Sequence, residues 1–235
     1  MGVTFVTALY LPSEPTFKKL DVYFAMFELL AATGIPIILY LDTRLESAGK
    51  ELVEKYPNIQ KCFYGSADMS YISADVVLPA VRNMQKDTAE YLCIILNKFR
   101  VLNDALEYVT TSHVAWIDFG IYHVLKDRDS CNSILNRITE SKFSDDKIVS
   151  PGCWDTIPGG LWDKVCWRYC GGLLIGTPEI IRKAYDRQTE LVKNNLPRLT
   201  WEVNYWAMMD EMFQYYKADH NDSILKNVCK YILTG

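Results

Sequence analysis

Short apolar runs alternate along the first half of the chain with stretches whose apolar positions recur every three or four residues. Thr4-Phe-Val-Thr-Ala-Leu-Tyr10 reads as a first strand, ended by Pro12 and Pro15. From Phe17 to Ala32 the positions Leu20, Tyr23, Phe24, Phe27, Leu30 and Ala31 keep helical spacing, and Gly34 supplies a stop. Ile35–Leu41 is nearly all apolar, as a strand buried on both faces should be, and ends in Asp42. A helix over Ser47–Tyr56 and a strand over Ile59–Tyr64 complete a β-α-β-α-β beginning. That order predicts right-handed crossovers and a mostly parallel sheet.

Residues 65–85 follow neither period and read as an active-site loop or an insertion. Asp87–Tyr108 carries the strongest helical pattern, with Tyr91, Ile94, Ile95, Leu102 and Leu106 on one face. It leads through Thr110-Thr111-Ser112 into a short buried strand, Val114–Ile117, which ends in Asp118. Gly120, two residues on, permits a sharp bend or a close backbone approach to a ligand. An acid at the carboxyl end of a central strand stands where open α/β sheets bind ligands; capping the next segment is its plainer use.

Farther along, the pattern predicts a helix over Ser130–Ser141 and a strand from Ile148 that Pro151-Gly152 breaks. A strand bracketed by glycines spans Trp167–Gly176, and Pro178 opens a helix to about Asn195. Glu202–Tyr216 reads as the last major helix, striped by Trp201, Tyr205, Met208, Met209 and Met212, before a short final helix. No internal repeat or linker interrupts this order. The expectation is one α/β domain, a mostly parallel central sheet with helices on both faces.

The chain has 235 residues and is 49% apolar, enough to bury such a core. A net charge of −4, with no stripe of Lys and Arg, argues against a nucleic-acid surface. The first residues lack a basic region followed by a long apolar one, and no apolar run reaches the ~18 residues of a membrane helix. A cytoplasmic protein without a membrane span is therefore expected, and the lone sequon Asn221-Asp-Ser223 does not alter that. Seven cysteines without paired metal spacing suggest reduced thiols: Cys166 and Cys170 are close in sequence, but no second pair or neighbouring histidine completes a zinc site. With three histidines, a multi-histidine metal site is nearly excluded. The six Trp and fifteen Tyr suit sugar or ring stacking as well as they suit an aromatic core.

Asp118-Phe-Gly120 spells the metal-binding triplet of protein kinases, but the Gly-rich loop, strand lysine and His-Arg-Asp loop that go with it are missing. No Gly-x-Ser-x-Gly elbow, P-loop or His-Glu-x-x-His occurs either. Four blocks instead resemble one family. Thr4–Tyr10, Ala115-Trp-Ile-Asp-Phe-Gly-Ile121, Tyr169-Cys-Gly-Gly-Leu-Leu-Ile-Gly176 and Trp201-Glu-Val-Asn-Tyr205 resemble, in order, segments of the HtrL/YibB family, which is similar to GT-A-type glycosyltransferases. The resemblance implies a Rossmann-like domain, a UDP- or GDP-sugar donor, a glycan or glycoconjugate acceptor, and Mn²⁺ or Mg²⁺. It further implies a nucleotide-binding half over about 1–122 and an acceptor half over about 123–235.

Site roles follow from the same resemblance. Asp118 would touch donor ribose and metal, with Gly120 standing where the second acid of an Asp-x-Asp motif is found. His220 would complete the metal site, aided by Asp219 or Asp222. Thr7, Leu9 and Tyr10 would receive base and ribose, Tyr10 by stacking, and Asp42 would hydrogen-bond the base. Asn97, Lys98 and Arg100 would lie near the donor phosphates. Gly171 and Gly172 would let the backbone approach the transferred sugar. Glu202 would act as catalytic base toward the acceptor hydroxyl, which implies inversion, although a retaining enzyme could place a carboxylate or amide in the same region, and Trp154, Trp162 and Trp201 would stack on acceptor sugars. Plainer uses compete: a helix cap for Asp42, a first-turn acid for Glu202, a solvated face for Lys98 and an exposed loop for His220. Two other functions compete as well. One is an inactive sugar- or nucleotide-binding module of the same fold. The other is a nucleotidyltransferase, which would show a basic Gly-rich loop where Leu11-Pro-Ser-Glu-Pro15 stands.

Overall fold

The computed structural model describes residues 2–13 and 19–233. Its strands are β1 (Val3–Leu9), β2 (Ile37–Asp42), β3 (Ile59–Gly65), β4 (His113–Ile117), β5 (Ile148–Gly152), β6 (Leu173–Gly176) and β7 (Phe213–Lys217). They form one sheet in the order β3-β2-β1-β4-β6-β5-β7, in which β6 alone runs against its neighbours. The molecule is thus a single α/β domain with a mostly parallel, Rossmann-like sheet. From β1 the sheet grows to one side through β2 and β3 and to the other through β4. The strand order therefore reverses between β1 and β4, the point at which open α/β sheets leave a crevice beyond their carboxyl ends.

Side chains leave each strand alternately to two apolar layers. Phe5 and Leu9 of β1 and Ala115 and Ile117 of β4 face one layer, shared with α1 (Leu20–Ala31), α2 (Glu46–Lys55) and α5 (Arg128–Thr139). Val6, Val114 and Trp116 face the other, shared with α3 (Ala89–Leu96), α4 (Lys98–Ala105), α6 (Pro178–Asn195) and α7 (Glu202–Met208). Period two thus sends Asp118 to the side of Trp116, toward α3 and α4. The expected start of the first helix at Phe17, and the stop at Pro15, lie outside the described residues.

Three elements differ from expectation. The long helix over Asp87–Tyr108 is two helices parted at Asn97, whose side-chain amide donates to the Cys93 and Asp68 carbonyls, at 2.8 and 3.1 Å. Its Oδ1 accepts from the Asp68 amide at 2.9 Å, so one residue breaks the helix and ties down the loop preceding it. The strand expected over Trp167–Gly176 is confined to its last four residues. The helix expected over Glu202–Tyr216 stops at Met208. After one turn of 3₁₀ helix, Phe-Gln-Tyr-Tyr-Lys forms β7 and pairs with β5, because aromatic residues suit a half-buried edge strand better than a helix interior. No described helix is long and apolar enough to cross a membrane. Residues 66–88 form the loop foreseen between β3 and α3, tied to the body by bridges at Val77–Arg198 and Val81–Lys164.

Candidate functional site

A cleft of about 1390 Å³ opens at the switch point, between the ends of β1 and β4 and beneath the 66–88 loop. Its floor is an ion cluster. Lys98, the first residue of α4, reaches Asp118 Oδ1 at 3.0 Å and Glu202 Oε1 at 2.9 Å, and donates to the Gly171 carbonyl at 2.7 Å. Trp116 Nε1 donates to the same Asp118 oxygen at 2.7 Å, and the Asp118 amide is held by the Gly172 carbonyl. Neither side-chain bond involves Asp118 Oδ2. The lysine and Glu202 side chains are 9% and 8% exposed, whereas that of Asp118 is 36% exposed at the cleft.

Burial is the strongest single influence on Lys98 and works against its charge. The carboxylates of Asp118 and Glu202 together outweigh it, so the ammonium is held above its ordinary pKa. It also lies 5.5 Å from the Trp116 ring centroid. Two carboxylates about one ammonium leave a formal net charge of −1. Such a floor orients hydroxyl groups and cations, and does not by itself attract a diphosphate.

Gly171 makes the cluster possible. A Cβ there would lie 2.5 Å from Glu202 Oε1 and 2.9 Å from Lys98 Nζ, so the ion pair fills the space that the glycine leaves. The expectation that this space admits the transferred sugar is therefore corrected: Gly171 and Gly172 line the cleft, but the missing side chain of Gly171 accommodates protein. Gly120 also lines the cleft with φ −102°, a backbone any residue adopts, and lies close to the Tyr23 ring.

Leu9, Tyr10, Lys98, Asp118, Trp201, Glu202 and His220 all face the cleft. Thr7 does not: it is fully buried in β1 and its hydroxyl finds no partner among the described residues, so it cannot meet a ligand. Asp42 is likewise occupied. It accepts from the Arg44 amide at 3.0 Å and the Leu11 amide at 3.2 Å, and pairs with the Arg44 guanidinium, which holds its carboxyl below the usual range. It caps a turn and ties two loops rather than offering an acceptor to a base. Trp154 is exposed away from the cleft lining, and Trp162 packs edge-on against Tyr205. Tyr10 also borders a smaller cavity of about 360 Å³ with Tyr40, Phe63, Tyr108 and Arg100, where three aromatic rings stand in contact. Burial pushes the Tyr10 phenol up to about 12, so it stays a neutral ring and hydroxyl donor at physiological pH.

The expected metal site does not take the expected form. Manganese and magnesium want oxygen ligands, about six of them. Asp118 has one oxygen committed to Lys98 and Trp116, and Lys98 already fills the place of a cation between the two acids. His220 stands with two sulfurs instead: one ligand atom each from Cys153, Cys170 and His220 lie within 4.8 Å of one another. Asp222 is used elsewhere, accepting from the Lys126 and Asp127 amides. A hard divalent ion held by Asp118 and His220 does not fit these residues. Sharing a proton with Cys170 holds the Cys153 thiol low, pushes Cys170 up, and the neighbouring sulfur raises His220.

Sequence reasoning missed Trp116 as a partner of Asp118, although their i, i+2 spacing on a strand puts both on one face. It also missed the pairing of Lys98 with Glu202 and the two cysteines, which only the folded sheet brings together.

No family model matches the chain, and no curated protein matches it. Among solved structures, the bifunctional IspDF of Campylobacter jejuni is similar at 9% identity and a TM-score of 0.48, over 99% of this chain and 54% of that one. The chain thus spans about half the length of that protein. The 4-diphosphocytidyl-2C-methyl-D-erythritol synthase of Anaerococcus prevotii is similar at 11% identity and a TM-score of 0.47, over 92% and 86% of the two chains. HddC of Yersinia pseudotuberculosis, solved with GMP-PN, is similar at 12% identity and 0.43, over 98% and 99%. Likeness at this level assigns no activity to this chain.

Proposed function

We propose that this protein is a glycosyltransferase of the GT-A kind. It would move a sugar from a UDP- or GDP-sugar to a hydroxyl of a glycan or glycoconjugate. The observation that carries this reading is the convergence of Asp118 and Glu202, from the end of β4 and the start of α7, on the floor of the switch-point cleft. Two carboxylates fixed by one ammonium supply what sugar chemistry needs: acceptors for ribose and sugar hydroxyls, and a base for the attacking hydroxyl. The resemblance to the HtrL/YibB family agrees with it.

Asp118 would accept from the donor's hydroxyls through Oδ2, and Glu202 would take the acceptor proton through the oxygen that Lys98 leaves. The base would enter the aromatic cavity beside Tyr10, in the half over about 1–122, and the acceptor would approach from the half over about 123–235. The floor's negative charge leaves the diphosphate to the cations of the cleft wall, Arg82 and Lys86 of the loop. A magnesium or manganese ion, where one takes part, would arrive on the donor diphosphate.

One observation favours the rival reading of a binding module. Lys98 engages both carboxylates, so one oxygen of each is already held by protein rather than free for a reacting hydroxyl. Binding and turnover separate the two. In a thermal-shift screen of UDP- and GDP-sugars, the wild type should gain stability with at least one donor and Asp118→Ala with none. Glu202→Gln should keep the donor shift and lose nucleotide release by about 10²-fold or more. Equal donor shifts in wild type and Asp118→Ala would overturn the role of Asp118, and an active Glu202→Gln that of Glu202. Donor binding without release by the wild type would leave the binding module.

A further inference from the structure

Cys153 follows β5, Cys170 precedes β6 and His220 follows β7, three strands adjacent at one side of the sheet. Backbone bonds fix the two sulfurs: the Cys153 amide donates to the Trp167 carbonyl at 2.9 Å and the Cys170 amide to the Pro151 carbonyl at 2.7 Å. Gly152 allows that crossing, since a Cβ there would lie 1.7 Å from the Arg168 carbonyl oxygen. Both thiols are free, with sulfurs 3.3 Å apart, and the His220 ring stands edge-on to Trp167 at 4.6 Å.

We propose that Cys153, Cys170 and His220 bind a zinc ion whose fourth position opens into the cleft. The donor set selects the metal: two thiolates and an imidazole suit a borderline-soft ion and not a hard one. The spacing suits it too. Tetrahedral zinc, with bonds of about 2.3 Å to sulfur and about 2.0 Å to nitrogen, places sulfurs about 3.8 Å apart and sulfur from nitrogen about 3.5 Å. The sulfurs need part by only about half an ångström, and no ligand pair exceeds 4.8 Å. Two thiolates balance the charge of the ion, so the buried Cys170 is left with no uncompensated charge. Cys170 and His220 line the cleft, so the free position faces it, as three-ligand sites that keep one position for water or substrate do. The inference is independent of the transfer reaction proposed above.

Cobalt(II) serves as the probe. The full chain, reduced and stripped with chelator, is titrated with cobalt and followed by absorption. Expected is one equivalent with thiolate-to-cobalt charge-transfer bands and the intense visible bands of four-coordinate cobalt, both displaced by zinc. Cys153→Ser should lose the charge-transfer intensity contributed by its sulfur. His220→Ala, an exposed position whose loss leaves the core intact, should weaken binding by about tenfold or more, while Cys62→Ser on β3 changes nothing. No such bands in the wild type would overturn the site, and so would unchanged affinity in His220→Ala. Weak six-coordinate cobalt bands without thiolate character would overturn it as well.

Discussion

Lys98 decides the chemistry of the cleft floor, because it is a buried cation held between two acids. Removing one partner of a buried ionic group is costly, since the charge left behind keeps its desolvation penalty. Lys98→Met should therefore destabilise the fold by about 3 kcal/mol, read by urea unfolding at neutral pH. The pH dependence has a definite sign. The folded pKa of Lys98 is raised, so its contribution is complete below the unfolded value of about 10.4 and is lost as pH rises through the folded value. The gap between wild type and Lys98→Met should narrow above that pH; a gap constant from neutral to strongly alkaline conditions would contradict the ion cluster. Asp118 was legible as a site residue from its place at the end of an apolar run. Lys98 and Glu202 were named as site residues too, through the resemblance to the HtrL/YibB family, but not as a cluster: nothing in the sequence shows that one ammonium on a helix meets Glu202 and Asp118 together. Thr7 and Asp42 were expected to touch the ligand because the family resemblance implies it, but burial closes the first and Arg44 occupies the second.

At the scale of elements, Asn97 has the widest reach. The four hydrogen bonds of its side chain join α3, α4 and the 66–88 loop that roofs the cleft. Asn97→Ala should cost about 2–4 kcal/mol, at about 1 kcal/mol per bond, and speed limited proteolysis within the loop. Protection equal to the wild type would show that the loop is held by its bridges at Val77 and Val81 alone. Gly152→Ala should be severely destabilising, because the clash is with backbone and cannot be relieved by a side-chain rotation. Soluble variant with wild-type unfolding would refute the close crossing. The first two strands, α6 with Pro178 at its start, and the strand before Asp118 were legible because each has one dominant period and a clear stop. The division at Asn97 was hidden, since the apolar face continues across it. The edge strand β7 was hidden by the methionine stripe that precedes it.

At the scale of the whole molecule, the sheet order concentrates chemistry at one end of the domain. The reversal between β1 and β4 creates the cleft, and the antiparallel β6 returns the chain so that Gly171 and Gly172 pass beside Asp118. The β-α-β-α-β beginning was enough to foresee a mostly parallel sheet. The approach of Cys153 to Cys170 was not foreseeable, because neighbours 17 residues apart met only once β5 and β6 paired. The assignment as a transferase is tested most directly by release of free nucleotide from a panel of UDP- and GDP-sugars with mixed glycan acceptors, comparing wild type with Asp118→Asn of verified fold. Expected is acceptor-dependent release by the wild type with at least one donor, reduced by about 10²-fold or more in the variant. Release at equal rates by both proteins, or none by the wild type with any donor, would contradict it.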